Sequence, residues 1–382
     1  MPEQVDPDDS LRGQRIDLVL GTSLGGVGRH VHALAAALGA AGSRYVVHGP
    51  AATERTFAFA ATGADFEALS VPAGLAPWRA NRAAAVLRRS LLDPSVVHAH
   101  GLRAGLVTAH ALRSSRTTPR PPLVVTWHNL PAAKGARERV NAALERRLVR
   151  AAEVTVAVSP DIAARVEALG GRDVRLLPVG ADKLPRPTRR HEEIRAELSA
   201  AGRPVLLTVG RLHPQKGLDV LLAAAATWQD RPEPPVVVVA GDGPQRRELM
   251  EMADHYAVDV RWLGYVADRH RLAELLSVAD VVVVPSRWEG SPLAVHEALL
   301  ASRPVVASAV GGLPSLLHDD EVRFVPPQNA PALAAAVEDL LDHPDGAAQL
   351  GKRGHLASGR WPTSGVAAKR VLELYAELLR RT

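Results

Sequence analysis

The stretch Ala279–Leu317, ADVVVVPSRWEGSPLAVHEALLASRPVVASAVGGLPSLL, indicates the fold class of this chain. It opens with the valine run Val281–Val284, which is typical of a strand buried on both faces of a sheet. A proline and a short loop follow, and Ser291-Pro292 predicts a helix with serine as its N-cap and proline at its first position. A second strand and turn occupy Pro304–Gly312. Two such units in succession are typical of a parallel α/β sheet.

Two carboxylates accompany this predicted helix. Glu289 lies at its mouth, and Glu297 lies about two turns further along. Carboxylates accept hydrogen bonds from hydroxyl groups, and the amides of a helix N-terminus favour phosphate. The pair therefore suits a polyhydroxylated ligand with an anionic part. Two solvated surface glutamates are the alternative interpretation, which an isolated E-x7-E spacing does not exclude.

The alternation of strands and helices extends along most of the chain. A proline-bounded polar segment, Pro178–Pro187, is predicted to link two α/β halves, which indicates two doubly wound domains with ligands at the carboxyl ends of the strands. Further helices are predicted at Ala76–Leu92 and Trp361–Arg380. The predicted strands are Ile16–Leu20, Tyr45–His48, Phe66–Val71, Val96–His100, Leu123–His128, Val154–Ser159, Val174–Val179, Val205–Gly210, Val236–Gly241, Val260–Leu263, Val281–Val284, Val305–Ala307 and Val322–Val325.

Composition excludes several classes of protein. Hydrophobic residues make up 47% of the chain, but no apolar run reaches the roughly 18 residues of a transmembrane helix. Met1–Gln14 lacks the apolar region of a signal peptide, and the absence of cysteine excludes disulfides and thiolate metal sites, so we expect a cytoplasmic protein. The net charge of +5 suits anionic substrates or a membrane face. With 4% aromatic residues, nucleic-acid binding is not expected.

Arg211 and Lys216 both follow the predicted strand Val205–Gly210. Lys216 precedes or begins a helix, where the helix dipole disfavours a cation. A bound anion between the two cations would explain this placement, whereas a solvated pair of charges is the simpler alternative. Glycine-rich turns at Gly25–Gly28 and Gly241–Pro244 would let the backbone approach such a ligand. The first lacks the dinucleotide-binding spacing, and the second is a weak signal by itself.

Three histidines follow or end neighbouring predicted strands. His98 and His100 share one strand face, and His128 ends the next strand. A metal site would require further ligands in the right geometry, and no Asp-x-Asp motif follows a strand, since Asp6-Pro-Asp8 lies in the amino-terminal tail. We therefore expect no metal.

These motifs together resemble the retaining GT-B glycosyltransferases of family 4, which includes sucrose synthases, mannosyltransferases of phosphoinositide assembly and mycothiol glycosyltransferases. The amino half carries GGVGRHV, VVHAHG, VVTWHN and LLPVGAD, and the carboxyl half carries VGRLHPQKGLDVLLAA, AGDGP, RWLGYV and the E-x7-E pair. The resemblance implies two Rossmann-like domains that face each other across a cleft. Residues 1–182 would bind the acceptor and residues 183–360 the donor, with the helix in 361–382 packing back on the first domain.

The resemblance also assigns roles to residues. Arg211 and Lys216 would bind the donor diphosphate and Glu289 the transferred sugar, and these three with His128 are the implied catalytic residues. The implied donor-binding residues are Gly25, Gly26, Gly210, Gly243, Tyr265, Val266, Gly290, Ser291, Leu293 and Glu297. Among these, Glu297 would bind the ribose, Tyr265 and Val266 would lie against the base, and the Gly25–Gly26 turn would lie near the acceptor beside His128.

The implied reaction is transfer of a hexosyl group from a nucleoside-diphosphate sugar, with UDP-sugars favoured, to a hydroxyl group with retention of configuration. The two cations and helix amides would stabilise the leaving diphosphate without a metal or other cofactor. The acceptor is a small molecule or a lipid head group, and Trp78 with the arginines of Ala76–Leu92 would allow a peripheral membrane contact. Ser291 and Ser315 depart from the family pattern, which leaves the donor open. A glycoside phosphorylase, a nucleotide-sugar isomerase and a non-enzymatic binder are the alternatives.

Overall fold

The computed structural model describes residues 10–23, 25–72, 74, 76–113, 120–130 and 136–381. The chain forms two compact units, one of Met1–Gly180 with Pro362–Thr382 and one of Ala181–Trp361. The division thus falls within the proline-bounded segment that the sequence predicts as a linker. The acidic Asp6-Pro-Asp8 lies outside the described residues.

The first unit contains a seven-stranded parallel sheet in the order β3-β2-β1-β4-β5-β6-β7. Its strands are β1 (Arg15–Leu20), β2 (Arg44–Gly49), β3 (Asp65–Ala68), β4 (Val96–His100), β5 (Leu123–Trp127), β6 (Val154–Ala157) and β7 (Val174–Leu176). Its helices are α1 (Gly26–Ala40), α2 (Ala51–Phe57), α3 (Pro77–Ser90), α4 (Leu102–Arg113), α5 (Ala136–Ala151) and α6 (Pro160–Ala168), with a 3-10 turn at Phe59–Thr62.

The second unit contains a six-stranded parallel sheet in the order β10-β9-β8-β11-β12-β13. Its strands are β8 (Val205–Val209), β9 (Val236–Ala240), β10 (Val260–Gly264), β11 (Val281–Val284), β12 (Val305–Ser308) and β13 (Arg323–Val325). Its helices are α7 (His191–Glu197), α8 (Leu218–Ala225), α9 (Arg246–His255), α10 (Arg269–Val278), α11 (Leu293–Leu300), α12 (Leu313–Leu316), α13 (Ala330–Asp342) and α14 (Pro344–Ser358), with 3-10 turns at Pro214–Lys216 and Ala226–Trp228.

Valine-rich strands with both faces covered account for the two cores. Val281–Val283 have no exposed surface, because alternate side chains enter the apolar layers on opposite sides of the sheet. Every predicted strand is present, with ends that shift by at most three residues. The strand order reverses between β8 and β11, and in such sheets the loops at this switch point form the binding crevice.

The last helix, α15 (Ser364–Arg381), belongs to the first unit and packs against α1. Its apolar side, which includes Val371, Leu372 and Tyr375, is buried in the core of that unit. The sequence predicts this helix from Trp361, but it begins three residues later. Trp361 instead lies in the second unit, where its ring packs against the ring of His296 at 4.7 Å between centroids.

Within the described ranges, no helix has both the length and the hydropathy needed to cross a bilayer.

Candidate functional site

The second unit brings most of the predicted site residues to one edge of its sheet. Because all six strands are parallel, the segments after β8, β9, β10, β11 and β12 emerge at the same edge. Arg211 and Lys216 follow β8, Gly243 follows β9, and Tyr265 follows β10. Glu289 follows β11, the strand that pairs directly with β8 at the switch point.

An ion pair between Lys216 and Glu289 lies at the centre of this edge. The Lys216 ammonium donates a hydrogen bond to Glu289 Oε1 at 2.6 Å, although 73 positions separate the two residues in the chain. The Ser286 hydroxyl donates to the same oxygen at 2.5 Å. Only 5% of the Glu289 side chain and 21% of the Lys216 side chain are exposed. Neither residue is therefore a solvated surface charge.

Backbone geometry fixes Lys216 in this position. Pro214–Lys216 form a single 3-10 turn that ends at Gly217, which has a φ of 63°. A Cβ atom on Gly217 would lie 2.1 Å from the carbonyl oxygen of Pro285, so only glycine allows the turn to approach the loop after β11. The Lys216 stem lies along Gly210, whose Cβ position would be 3.5 Å from Lys216 Cε.

Two further glycine turns form the edge by equally close backbone packing. A Cβ on Gly241 would lie 1.7 Å from the Gly210 oxygen, and a Cβ on Gly243 would lie 2.4 Å from the Leu212 oxygen. A Cβ on Gly311 would lie 1.8 Å from the carbonyl oxygen of Glu289. The turns at this edge of the second sheet therefore contact one another so closely that these positions require glycine.

Arg211 adds a second cation to this edge. Its side chain is exposed, and no described carboxylate forms an ion pair with it. Burial lowers the pKa of the neighbouring His213, and the positive charges of Arg211 and Lys216 lower it further. The turn after β8 is therefore a region of positive potential beside the positive N-terminal end of α8.

Glu297 lies in the second turn of α11, as the sequence predicts. The residue is 1% exposed, and the Arg269 guanidinium donates to Glu297 Oε1 at 3.1 Å. A buried carboxylate is stable only when it is paired and hydrogen-bonded. The interpretation of Glu289 and Glu297 as two solvated glutamates is therefore wrong.

The start of α11 differs from the prediction. The N-cap is Pro292 rather than Ser291, and the helix begins at Leu293 without a side-chain cap. Pro292 has an extended ψ of 107° and so lies outside the helix. Its carbonyl accepts the amides of Val295 and His296, as the carbonyl of an N-cap residue does. Gly290 and Leu293 are buried beside this helix start, whereas Ser291 is partly exposed.

The loop after β10 presents two predicted contacts for a base. Tyr265 is 43% exposed, and Val266 is partly buried against the core of the second unit. They follow Gly264, which pairs with Gly241 across the end of the sheet. This loop therefore lies beside the glycine turn after β9.

In the first unit, the predicted His128 belongs to a cluster of four buried imidazoles. His100 Nδ1 lies 3.2 Å from His128 Nε2, and the His98 and His100 rings are 4.2 Å apart between centroids. His98 also hydrogen-bonds to the Thr126 hydroxyl at 2.7 Å and to the hydroxyl of Tyr375 from α15. The sequence reasoning missed the fourth member.

That member is His30, on α1. Its ring lies edge-on to those of His100 and His128, at 5.7 and 5.5 Å between centroids. Its only signal in the sequence is its place in GGVGRHV, directly after the glycine turn. Burial lowers the pKa of His30 to about 4 and also lowers those of His98, His100 and His128, so all four are neutral at pH 7.

The Gly25–Gly26 turn leads into the same helix. The Ser23 hydroxyl accepts the Gly28 amide at 3.0 Å and the Gly25 amide at 3.4 Å, which anchors the first turn of α1. This turn and His128 therefore lie at the same edge of the first sheet, joined through His30. Across the described part of the chain, no group of three or more histidine and carboxylate side chains is placed to hold a metal ion.

Comparison with known proteins agrees with this architecture. Residues 24–183 match the family model Glycosyltransferase Family 4, and residues 189–356 match the model Glycosyl transferases group 1. Anabaena HepE, solved in complex with UDP and glucose, superposes with a TM-score of 0.80 at 20% identity over 95% of this chain and 100% of HepE. The fold and the family models define a glycosyltransferase of the GT-B class.

Two curated relatives agree with this assignment. Alpha-maltose-1-phosphate synthase of Mycolicibacterium smegmatis is 30% identical over 74% of this chain and 79% of its own length. Alpha-D-kanosaminyltransferase of Streptomyces kanamyceticus is 33% identical, but the match spans only 41% of each chain. The chain belongs to the family 4 glycosyltransferases.

The histidine cluster predicts an acid-sensitive first unit. A histidine whose pKa is lower in the folded than in the unfolded state takes up protons on unfolding, so stability falls as the pH drops below about 6.5 and continues to fall to about 4. From pH 7 to 5.5 we expect a loss of about 1 kcal/mol per buried histidine, measured by urea unfolding.

His30→Phe should reduce this pH dependence, because it removes one of the four titrating groups. His318→Phe, at an exposed position of the second unit, is the matched control and should leave the dependence unchanged. Equal stability at pH 7 and 5.5 in the wild-type protein would contradict the prediction.

Proposed function

We propose that the protein transfers a hexosyl group from a nucleoside-diphosphate sugar, with UDP-sugars favoured, to a hydroxyl group of a small molecule or a lipid head group. The transfer retains the anomeric configuration and uses no metal. The observation that carries the proposal is the partly buried Lys216–Glu289 pair at the switch point of the second sheet. A cation and a carboxylate in contact there suit a ligand that has both phosphate and sugar hydroxyls.

The donor diphosphate is proposed to bind Lys216 and Arg211. Negative charge develops on the phosphate oxygens as the bond to the anomeric carbon breaks, and two fixed cations stabilise it. The exposed Arg211 guanidinium is available to an incoming ligand, since no described carboxylate pairs with it. These charges take the place that a divalent cation would occupy, which is the basis for proposing metal independence.

Glu289 is proposed to bind the hydroxyls of the transferred sugar and Glu297 those of the ribose. Glu289 keeps acceptor capacity at Oε2, because its two contacts from Lys216 and Ser286 both fall on Oε1. Glu297 lies in the second turn of α11, beyond the loop that holds Glu289, and this position suits a part of the donor that does not react. Tyr265 and Val266 are proposed to lie against the base.

The first unit is proposed to bind the acceptor. His128, in its neutral form, and the Gly25–Gly26 turn are the proposed contacts, supported by their common position at the carboxyl edge of the first sheet. In a retaining reaction with front-face attack, the acceptor hydroxyl approaches beside the leaving phosphate, which takes its proton. This route needs no nucleophilic carboxylate pair of the kind used by retaining glycosidases.

The comparisons support these donor and acceptor classes without fixing them. HepE was solved with UDP and glucose, which makes UDP and UDP-glucose the first probes. The kanosaminyltransferase is named for the kanosaminyl group that it transfers, which supports transfer of a glycosyl group as the reaction. A lipid head group is supported by α3, where Trp78 is 64% exposed among exposed arginines and no acidic residue is present.

Replacing either cation should lower turnover. Lys216→Ala and Arg211→Ala should each cost about 2–4 kcal/mol of transition-state stabilisation, as expected for the loss of one preorganised group that stabilises developing charge. The measurement is kcat/KM for UDP release from UDP-glucose, made with EDTA present because no metal is required. Lys352→Ala, an exposed lysine of the same unit, is the control. Unchanged kcat/KM in both variants would refute the diphosphate site.

Glu289 and Glu297 should differ in their effects on kinetics and binding. Glu289→Gln should reduce mainly kcat, because sugar contacts that strengthen with charge development act on the chemical step. The affinity of Glu289→Gln for UDP should be equal to that of the wild-type protein or slightly higher. The reason is that the Glu289 carboxylate no longer competes with the diphosphate for the Lys216 ammonium. Glu297→Gln should raise KM for the donor and weaken UDP binding, because UDP contains the ribose.

Isothermal calorimetry of UDP on both variants separates the two roles. If Glu289→Gln weakens UDP binding as much as Glu297→Gln does, the division between sugar and ribose is wrong.

A further inference from the structure

Arg287 connects, through hydrogen bonds, the 3-10 turn that contains Lys216 and the loop that contains Glu289. Its backbone amide donates to the Gln215 carbonyl oxygen at 2.7 Å, and its Nη1 donates to the Pro214 carbonyl oxygen at 2.7 Å. In the opposite direction, Gln215 Nε2 donates to the Trp288 carbonyl oxygen at 3.0 Å. The 3-10 turn and the loop after β11 are therefore joined by three hydrogen bonds besides the Lys216–Glu289 contact.

A bidentate ion pair completes the connection. Arg287 Nη1 and Nη2 donate to the two carboxylate oxygens of Asp219 at 2.8 and 2.6 Å. Asp219 lies in the first turn of α8, directly after the turn that ends with Lys216. The two side chains are 30% and 33% exposed, and at that exposure an ion pair contributes little to global stability. Its effect on local geometry is larger, because one planar guanidinium binds both a carboxylate and a main-chain carbonyl.

We infer that Arg287 is a positioning residue, which holds the Lys216 ammonium against Glu289 before any donor binds. The inference rests on the proposed function, since it concerns the same site. Lysine has a flexible stem, so the direction of its ammonium depends on a fixed backbone at its Cα. A displacement of about 1 Å at such a site can lower turnover about 100-fold. Arg287 acts through the 3-10 turn, and Asp219 neutralises its charge.

A second ion pair in the same unit provides a matched control. Arg195 Nη2 donates to both carboxylate oxygens of Asp280, at 3.0 and 2.8 Å, and the two side chains are 27% and 39% exposed. Asp280 precedes β11, so this pair lies at the amino edge of the sheet, opposite the candidate site. Breaking it tests what the loss of a comparable ion pair does to the unit as a whole.

The experiment compares Arg287→Ala, Asp219→Ala and the double variant with the wild-type chain. UDP release from UDP-glucose gives kcat and KM, and thermal unfolding gives stability. We expect each single variant to lower kcat 10- to 100-fold and the double variant to lower it no further, because both changes remove the Arg287–Asp219 ion pair. Arg287→Lys should behave like Arg287→Ala, since an ammonium cannot form the fork. Arg195→Ala should retain kcat with an equal or greater loss of melting temperature.

Hydrogen exchange of the ligand-free chain provides a readout that does not depend on the donor. Amides in residues 285–289 and 213–219 should exchange faster in Arg287→Ala and Asp219→Ala than in the wild-type chain. In Arg195→Ala their exchange rates should be unchanged. If exchange is unaltered, the connection does not hold the turn and the inference is overturned. If exchange accelerates while kcat is retained, the turn is held without consequence for turnover, and the inference is again overturned.

The remaining outcomes separate this inference from the proposed function. If Arg287→Ala loses turnover but Asp219→Ala keeps it, Arg287 acts through its own charge and is not a positioning residue. If Lys216→Ala keeps full turnover, the proposed diphosphate site fails, whatever the Arg287 variants show. Should an alanine variant fail to fold, Asp219→Asn and Arg287→Lys test the same connection with smaller changes.

Discussion

The partly buried contact between the Lys216 ammonium and the Glu289 carboxylate is the constraint on which the turns at the carboxyl edge of the second sheet depend. Removing two charges from water is costly, and a buried ion pair often contributes no more to stability than apolar residues of similar volume. The surrounding contacts therefore fix the geometry of the pair, and the pair itself adds little to the stability of the fold. Glycine turns bring the backbone within reach, Ser286 binds the same carboxylate oxygen, and Arg287 ties the lysine turn to the glutamate loop. In the proposed function, a donor would replace this internal contact with its own phosphate and hydroxyl groups.

The two units have similar sheet topology, but the side chains at the carboxyl edges of their sheets differ in charge. Each has a parallel sheet whose strand order reverses beside its first strand, so that loops from the central strands meet at one edge. In the second unit that edge carries fixed charges, which suit an anionic sugar donor. In the first unit it carries His30 and His128, whose imidazoles burial keeps neutral at pH 7, which suits hydrogen bonding to an uncharged hydroxyl. The difference in electrostatics supports the proposed division between donor and acceptor.

Much of this architecture could be predicted from the sequence, because valine runs and glycine turns act locally. Arg211, Lys216, Glu289 and Glu297 were also predicted as site residues. The pairing of Lys216 with Glu289 was not, since it depends on β8 and β11 being neighbours across 73 positions of chain. His30 and Arg287 were missed for the same reason: their partners come from other elements. The predicted Ser291 cap was wrong because the carbonyl of Pro292, not a side chain, begins the helix.

Hydrogen exchange of the full chain with and without UDP tests most directly whether the donor binds at Lys216 and Glu289. UDP should slow exchange in the turns after β8, β11 and β12, at residues 210–217, 286–291 and 311–313, where the backbone surrounds Lys216 and Glu289. Residues 202–204 and 302–304, at the opposite edge of the same sheet, should be unaffected. Protection confined to that opposite edge, or protection that skips the turn containing Lys216, would contradict the assignment of the donor site.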